Sequence, residues 1–447
     1  MASSAEQLAA NLNWGAFSKA KELQQRILFT LGVLIIYRVG TYIPVPGINP
    51  EMLSQFVEQN SGGILGVFNM FSGGAVGRMA IFALGIMPYI SASIIMQLLT
   101  TMVPSLEAMK KEGEVGRKKI NQYTRYGTVI LATFQGFGIS VGLQSFAFDG
   151  GGEFFLFAAT TTLVGGTVVL MWLGEQITAR GVGNGISLII FVGIVAELPS
   201  ALAQFFATQR QDGSALLVIG VLVMAIAVIA FVVFIERALR KIPIQYPQRQ
   251  VGMKVYQGDR SMLPLKVNTA GVIPPIFASS LLLLPTTVAG FQAAGGGVFA
   301  DVAAYLGRGS PLFLIIFVSL IVFFCFFYTS IVFNPDDVAD NLKKHNGFIP
   351  GIRPGKKTAE YLDYVLTRLT VVGSMYLAFV CLLPELLISN LSVPFYFGGT
   401  SLLIVVSVTM DTISQVQSHL LAHQYEGLIQ KSKLRGGKGS RSRGGRA

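Results

Sequence analysis

Few side chains in this sequence are grouped for chemistry. His419 and His423 stand four residues apart, one helical turn, with Glu426 close by, a spacing at which two imidazoles could share a metal ion. Such a site needs three or four converging ligands, and His345 is the only other histidine. Interfacial histidines are the better reading. Gly351-x-x-x-Gly355-Lys356-Lys357-Thr358 imitates a phosphate-binding loop, but its glycine spacing is one residue short and no buried strand precedes it. Gly181-Val182-Gly183-Asn184-Gly185 imitates a dinucleotide fingerprint, yet it stands between apolar runs and reads as a tight turn. Cys325 and Cys381 fall in separate apolar runs and make neither a disulfide framework nor a C-x-x-C pair. With no nucleophile, base and acid set in view, nothing supports an enzyme, a metal or a cofactor.

The elements that carry these residues are of one kind. Of 447 residues, 52% are hydrophobic and only 13% charged, where a soluble protein carries roughly a quarter charged. Apolar runs lie at 27–46, 79–103, 126–146, 154–174, 186–206, 215–235, 269–290, 311–333, 369–388 and 399–420. About 20 residues of helix cross the ~30 Å of hydrocarbon in a bilayer. Lipid admits only helices or closed barrels, and alternating strands are absent. The expected class is an all-α integral membrane protein with ten transmembrane helices.

The sparse charge is lopsided, 34 Lys+Arg against 23 Asp+Glu for a net +11. An even number of spans places both termini on one side, and 30 of the 34 cations then fall on that side. By the positive-inside rule it is the cytoplasm. The first run is read as an uncleaved span, because its leader is long and no small-x-small cleavage site follows. Long basic segments at 104–125, 236–268 and 334–368 face the cytoplasm, where long loops usually carry function. The tail from Lys431 onward is Gly/Ser/Lys/Arg without an acid and is expected to be disordered, able to touch anionic lipid or rRNA.

A ten-helix bundle also suits an ion-coupled secondary transporter of a small solute, for which intramembrane charges mark the route. Those charges are Arg38, Glu197, Glu385 and Asp411, of which only Arg38 and Asp411 look deep. Structural pairing or snorkelling explains them equally well.

Two features point elsewhere. The second run contains Gly85-Ile86-Met87-Pro88-Tyr89-Ile90-Ser91-Ala92-Ser93 and the seventh Gly271-Val272-Ile273-Pro274-Pro275-Ile276-Phe277-Ala278-Ser279, both G-x-x-P-x-I-x-A-S. These are the second spans of two five-span halves, which an odd span number inserts in opposite orientation. Gly/Pro interruptions at matched positions of inverted halves mark a transport pathway at their interface. Ahead of the second run, the uncharged stretch 62–74 is too short to span and is bracketed by Gly62, Gly63, Gly73 and Gly74. It reads either as a movable re-entrant plug over a pore or as a static amphipathic loop.

The chain resembles the SecY/Sec61-alpha family of protein-conducting channels. The resemblance is carried by Asn69-Met70-Phe71-Ser72-Gly73-Gly74, by Phe82 to Ser93, Met171 to Thr178, Gly183-Asn184-Gly185-Ile186-Ser187, Pro350 to Gly355 and Val393 to Ile404, and it extends from Arg26 to about Tyr425. It implies a clamshell of two inverted five-helix halves, 27–206 and 215–420, joined by an external hinge at 207–214, with a cytoplasmic segment at 1–26 and a basic tail at 421–447. Its pore ring would be Ile86, Ile90, Ile186, Ile190, Ile276 and Ile404. An unfolded polypeptide of any sequence needs a lining without specific polar partners, and a narrow apolar collar excludes water and ions. The plug would be residues 62–77, with Gly62, Gly63, Ile64, Leu65, Phe68, Asn69, Phe71, Gly73 and Gly74, and the lateral gate Ser91, Gln97, Gln135 and Asn268. Arg353, Lys356, Arg249 and Lys254 match the surface where a motor or ribosome docks, although Met253-Lys254 stands where relatives often carry paired arginines. The partners implied are SecE and SecG, the SecA ATPase, the ribosome, signal-bearing preproteins and lipid. The implied location is the bacterial cytoplasmic (inner) membrane.

Overall fold

A computed structural model of the chain describes residues 21–49, 69, 72–148, 152–212, 215–247, 249–251, 254–256, 260–292, 310–391 and 399–439. Each of the ten apolar runs carries a helix. In the first half these are α1 (Lys21–Gly40), α2 (Met87–Met102), α4 (Glu114–Gly142), α5 (Glu153–Arg180) and α6 (Gly185–Asp212), with a short α3 (Pro104–Lys111) between α2 and α4. In the second half they are α7 (Ala215–Glu236), α8 (Ile273–Gln292), α9 (Pro311–Val332), α11 (Lys356–Leu391) and α12 (Gly399–Gly439), with a short α10 (Pro335–Lys344) after α9. Among the described residues, the stretches Glu153–Arg180, Pro311–Lys344, Lys356–Leu383 and Gly399–Leu420 are each long and apolar enough to cross a bilayer, and α2 with α3 makes a fifth if taken as one broken span.

Local chemistry sets the breaks. Pro104 stops α2 and turns the chain by 98° into α3. Pro88 in the first turn fixes where α2 begins, so residues 79–86 of the second apolar run form turns rather than helix. The same device opens α8 at Pro274. Gly85 has φ +57° and Gly271 φ +63°, and each helix begins two residues later. The sequence repeat is therefore also a repeat of backbone conformation.

Most of the buried side chains join one apolar core drawn from α1, α2, α4, α5, α6, α7, α8, α9, α11 and α12. A smaller core of Ile242, Leu265, Ile349, Leu362 and Leu366 is built from segments 236–268 and 334–368.

Three segments expected as loops or tail carry structure. Segment 236–268 adds two antiparallel pairs to the helical architecture, β1 (Leu239–Gln245) with β4 (Arg260–Lys266) and β2 (Arg249–Val251) with β3 (Lys254–Tyr256). Much of 334–368 is helix, with α10 capped by the Asn334 side chain and bearing Asp336 and Asp337 in its first turn and Lys343 and Lys344 in its last, as the helix dipole favours. Helix α12 runs on to Gly439, so part of the tail expected to be disordered is helical: no proline interrupts it, and Gln, Lys, Leu and Arg are good helix formers.

Candidate pore, plug and gate

Five of the six isoleucines expected to ring the pore lie on four helices, and all six belong to the main apolar core or pack against it. Ile86 precedes α2, Ile90 lies on α2, Ile186 and Ile190 on α6, Ile276 on α8 and Ile404 on α12. Ile86, Ile90, Ile190, Ile276 and Ile404 are buried in that core, and Ile186 is half-buried and packs against it. The start of α6, which carries two of the six, is held by its neighbours. The Val182 N–H donates to Thr30 Oγ1 of α1 at 3.1 Å, the Gly183 N–H to Gln415 Oε1 of α12 at 3.0 Å, and Asn184 Oδ1 accepts from the Ile186 N–H at 3.1 Å. Gly183 has φ +90°, which a side chain would strain.

Of the plug residues, Gly62, Gly63, Ile64, Leu65, Phe68 and Phe71 lie outside the described residues, whereas Asn69, Gly73 and Gly74 lie within them. The described end is tied down by polar contacts. Asn69 accepts from the Gly77 N–H through Oδ1 at 2.7 Å and from the Gly74 N–H through its carbonyl at 2.8 Å. Tyr37 Oη donates to the Ser72 carbonyl at 3.2 Å. The Gly73 carbonyl accepts from Arg38 Nη1 at 2.6 Å and from Arg78 Nη2 at 3.1 Å. Arg78 pairs with Glu197 of α6 at 3.9 Å and stacks 4.2 Å from the Tyr42 ring. Gly73 and Gly74 have φ +67° and +81°; a Cβ on Gly73 would sit 3.0 Å from Gly193 Cα, and one on Gly74 would collide with the Glu197 carboxylate. Glycine is required here by both conformation and space.

Two of the charges weighed for ion coupling, Arg38 and Glu197, thus belong to this network. Asp411, expected to be deep, is exposed on α12. The side chains of Glu385, His423 and Glu426 lie outside the described set, and His419 is exposed. Cys325 and Cys381 are both buried and form no disulfide.

At the gate, α2 packs against both α4 and α8. Ser280 Oγ of α8 donates to Met87 Sδ of α2 at 3.5 Å. Ser91 is buried, and the buried Oε1 atoms of Gln97 and Gln135 accept no hydrogen bond. Asn268 is also buried, but its amide engages Glu236 and Gly271 rather than α2. The four expected gate residues therefore do not form one bonded group.

On the surface expected to dock a motor or ribosome, Arg353 is exposed on the turn that leads into α11 and Lys356 is exposed at its first residue, and the Arg353 carbonyl accepts from Thr358 Oγ1 at 2.9 Å. Arg249 and Lys254 lie on the β2–β3 pair, where Val251 pairs with Lys254.

Sequence reasoning passed over Tyr37, Tyr42 and Arg78. One signal for the last was available: Arg78 is an isolated external cation at the very end of the plug stretch.

The family profile of SecY matches residues 80–413. The protein translocase subunit SecY of Pseudomonas aeruginosa is 58% identical over 419 residues, which cover 93% of this chain and 95% of that protein. Among solved structures, a protein-conducting channel superposes with a TM-score of 0.66 at 19% identity, covering 89% of this chain and 92% of that one. Sec61 from a canine ribosome–channel complex superposes with a TM-score of 0.62 over the same shares. The structural matches speak for the fold and the sequence matches for descent: the chain belongs to the SecY family.

Proposed function

We propose that the chain is the pore-forming subunit of a protein translocase, a passive channel for unfolded secretory proteins across the cytoplasmic membrane and sideways into it. The observation that supports this reading is the placement of Ile86, Ile90, Ile186, Ile190, Ile276 and Ile404 in or against the main apolar core of the bundle, where the resemblance expects a pore ring. An all-aliphatic constriction repels ions by excluding water, and it makes no demand on the sequence of a passing polypeptide. It catalyses no bond chemistry, so a partner must supply the energy.

A SecA-type ATPase or a ribosome would dock on the exposed basic surface around Arg353 and Lys356, and on the β2–β3 pair with Arg249 and Lys254. The canine relative found with a ribosome supports the second partner. SecE and SecG would complete the membrane complex. The distribution of cations, 30 of 34 on one side, supports an orientation with both termini in the cytoplasm. The pore would be closed by the plug and would open laterally between α2 and α8.

The test is reconstitution of the chain with its small membrane partners in proteoliposomes. Given the motor ATPase and ATP, the vesicles should import a signal-bearing unfolded protein. Uptake of a small solute driven by an ion gradient, without protein import, would overturn the reading.

A further inference from the structure

Between α7 and α8 the chain leaves the bundle as the β1–β4 ribbon and returns. The two ends of this excursion are fastened together. Val267 N–H donates to the Ala238 carbonyl at 3.1 Å, and one residue further Asn268 Nδ2 donates to Glu236 Oε1 at 2.7 Å. The second bond joins the last residue of α7 to the turn that begins α8.

The same amide holds that turn in shape. Asn268 Oδ1 accepts from the Gly271 N–H at 3.1 Å, and Nδ2 donates to the Gly271 carbonyl at 3.1 Å. Gly271 has φ +63°, α8 starts two residues later, and Ile276 of the ring follows in the first turn. Asn268 is 4% exposed, so the bond to Glu236 is shielded from competing water.

The far end of the ribbon is equally fixed. Gln245 and Phe348 exchange two backbone hydrogen bonds, at 2.9 and 3.0 Å, which weld the ribbon to the segment carrying Arg353. Ile242 and Leu265 of the ribbon pack with Ile349, and with Leu362 and Leu366 of α11. The two cytoplasmic segments are thus one body. Its attachment to the gate helix runs through the turn that Glu236 holds.

We infer that Glu236 is a positioning residue that couples docking at the cytoplasmic ribbon to movement of α8, through its hydrogen bond to Asn268. Besides Asn268, the charged and titratable groups around Glu236 are Lys266, Asp411 and Tyr376. None of them makes a hydrogen bond to its carboxylate among the described contacts. This inference rests on the channel reading above.

The test uses the complete membrane complex in proteoliposomes, with binding of the motor ATPase and import of a signal-bearing protein measured in parallel. Glu236→Ala should bind the motor as the parent does and import about tenfold more slowly, the loss expected for one hydrogen bond to a charged group. Glu236→Gln retains an oxygen acceptor and should restore import. Should Glu236→Ala fail to assemble, Asn268→Asp decides, because it keeps the side-chain shape and sets two carboxylates against each other; it should assemble, bind the motor and import slowly. Import by either disrupting variant at the parent rate would overturn the inference. So would a Gln variant as slow as Ala, or a loss of motor binding that matches the loss of import. If the parent complex itself imports no protein, it is the channel reading that fails.

Discussion

Arg78 pairs with the Glu197 carboxylate at 3.9 Å while the same guanidinium donates to the Gly73 carbonyl at 3.1 Å. One side chain thereby joins the plug to α6. Arg38 reaches the same carbonyl from α1. The plug end is held by charge-assisted bonds, which are strong when made and leave no apolar surface stranded when broken.

Breaking this latch should loosen the seal. Arg78 and Glu197 are both partly exposed, so their pairing and the carbonyl bond together contribute roughly 1 kcal/mol, about a fivefold change in the closed-to-open ratio. Arg78→Gln or Glu197→Gln should raise resting ion current through the reconstituted channel by about that factor. The exchanged pair Arg78→Glu with Glu197→Arg should recover part of the seal. Single variants as tight as the parent would show that the latch does no work.

The ring should respond to polarity. Replacing Ile86, Ile90, Ile186 and Ile190 with serine removes about 2 kcal/mol of apolar transfer energy at each site and invites water into the collar. Ion conductance across planar bilayers should rise with each added serine. An unchanged leak in the fourfold variant would refute the ring assignment.

Docking should fail when its charge is reversed. Arg353→Glu keeps an exposed turn whose fold depends on backbone and Thr358 contacts rather than on the guanidinium. Motor affinity should fall by about 2 kcal/mol, roughly thirtyfold, with the amount of assembled complex unchanged. Binding assays on inverted vesicles check both.

Close packing against the segment that leads into α2 can be probed at Gly166 of α5. A Cβ there would collide with the Ile81 carbonyl, 2.9 Å from its carbon. Gly166→Ala should destabilise the complex by about 1–3 kcal/mol, read as a lower midpoint of thermal aggregation in detergent. Gly165, one residue earlier with open space at its Cβ, is the matched control.

The helices were legible because hydropathy writes itself in runs of about 20 residues, and all ten runs carry helix. The repeat around Pro88 and Pro274 was legible for the same kind of reason, since proline and glycine act locally. The β1–β4 ribbon was missed because its alternation is short and half of it faces water, as with the burial of Ile242 and Ile244 between exposed neighbours. The latch was illegible because Arg38, Gly73 and Glu197 are far apart in the chain and are joined through a backbone carbonyl, which leaves no mark on residue type. Asn268 shows the remaining difficulty: its polarity at the entrance to α8 was evident, but its partner Glu236 stands 32 residues earlier in the chain, before the ribbon begins.

The paired glycines have one further consequence. Ile90 and Ile276 are each the fourth residue of a helix that departs from a left-handed turn, at Gly85 and at Gly271. A rod swinging about one end moves least near that end. Ile90 and Ile276 therefore sit near the fulcrum of α2 and α8, while the far ends of the two helices would sweep the widest arc. On the proposed reading, sideways exit into lipid would open broadly with these two positions barely moving, so that a membrane segment could leave without flooding the cell with ions.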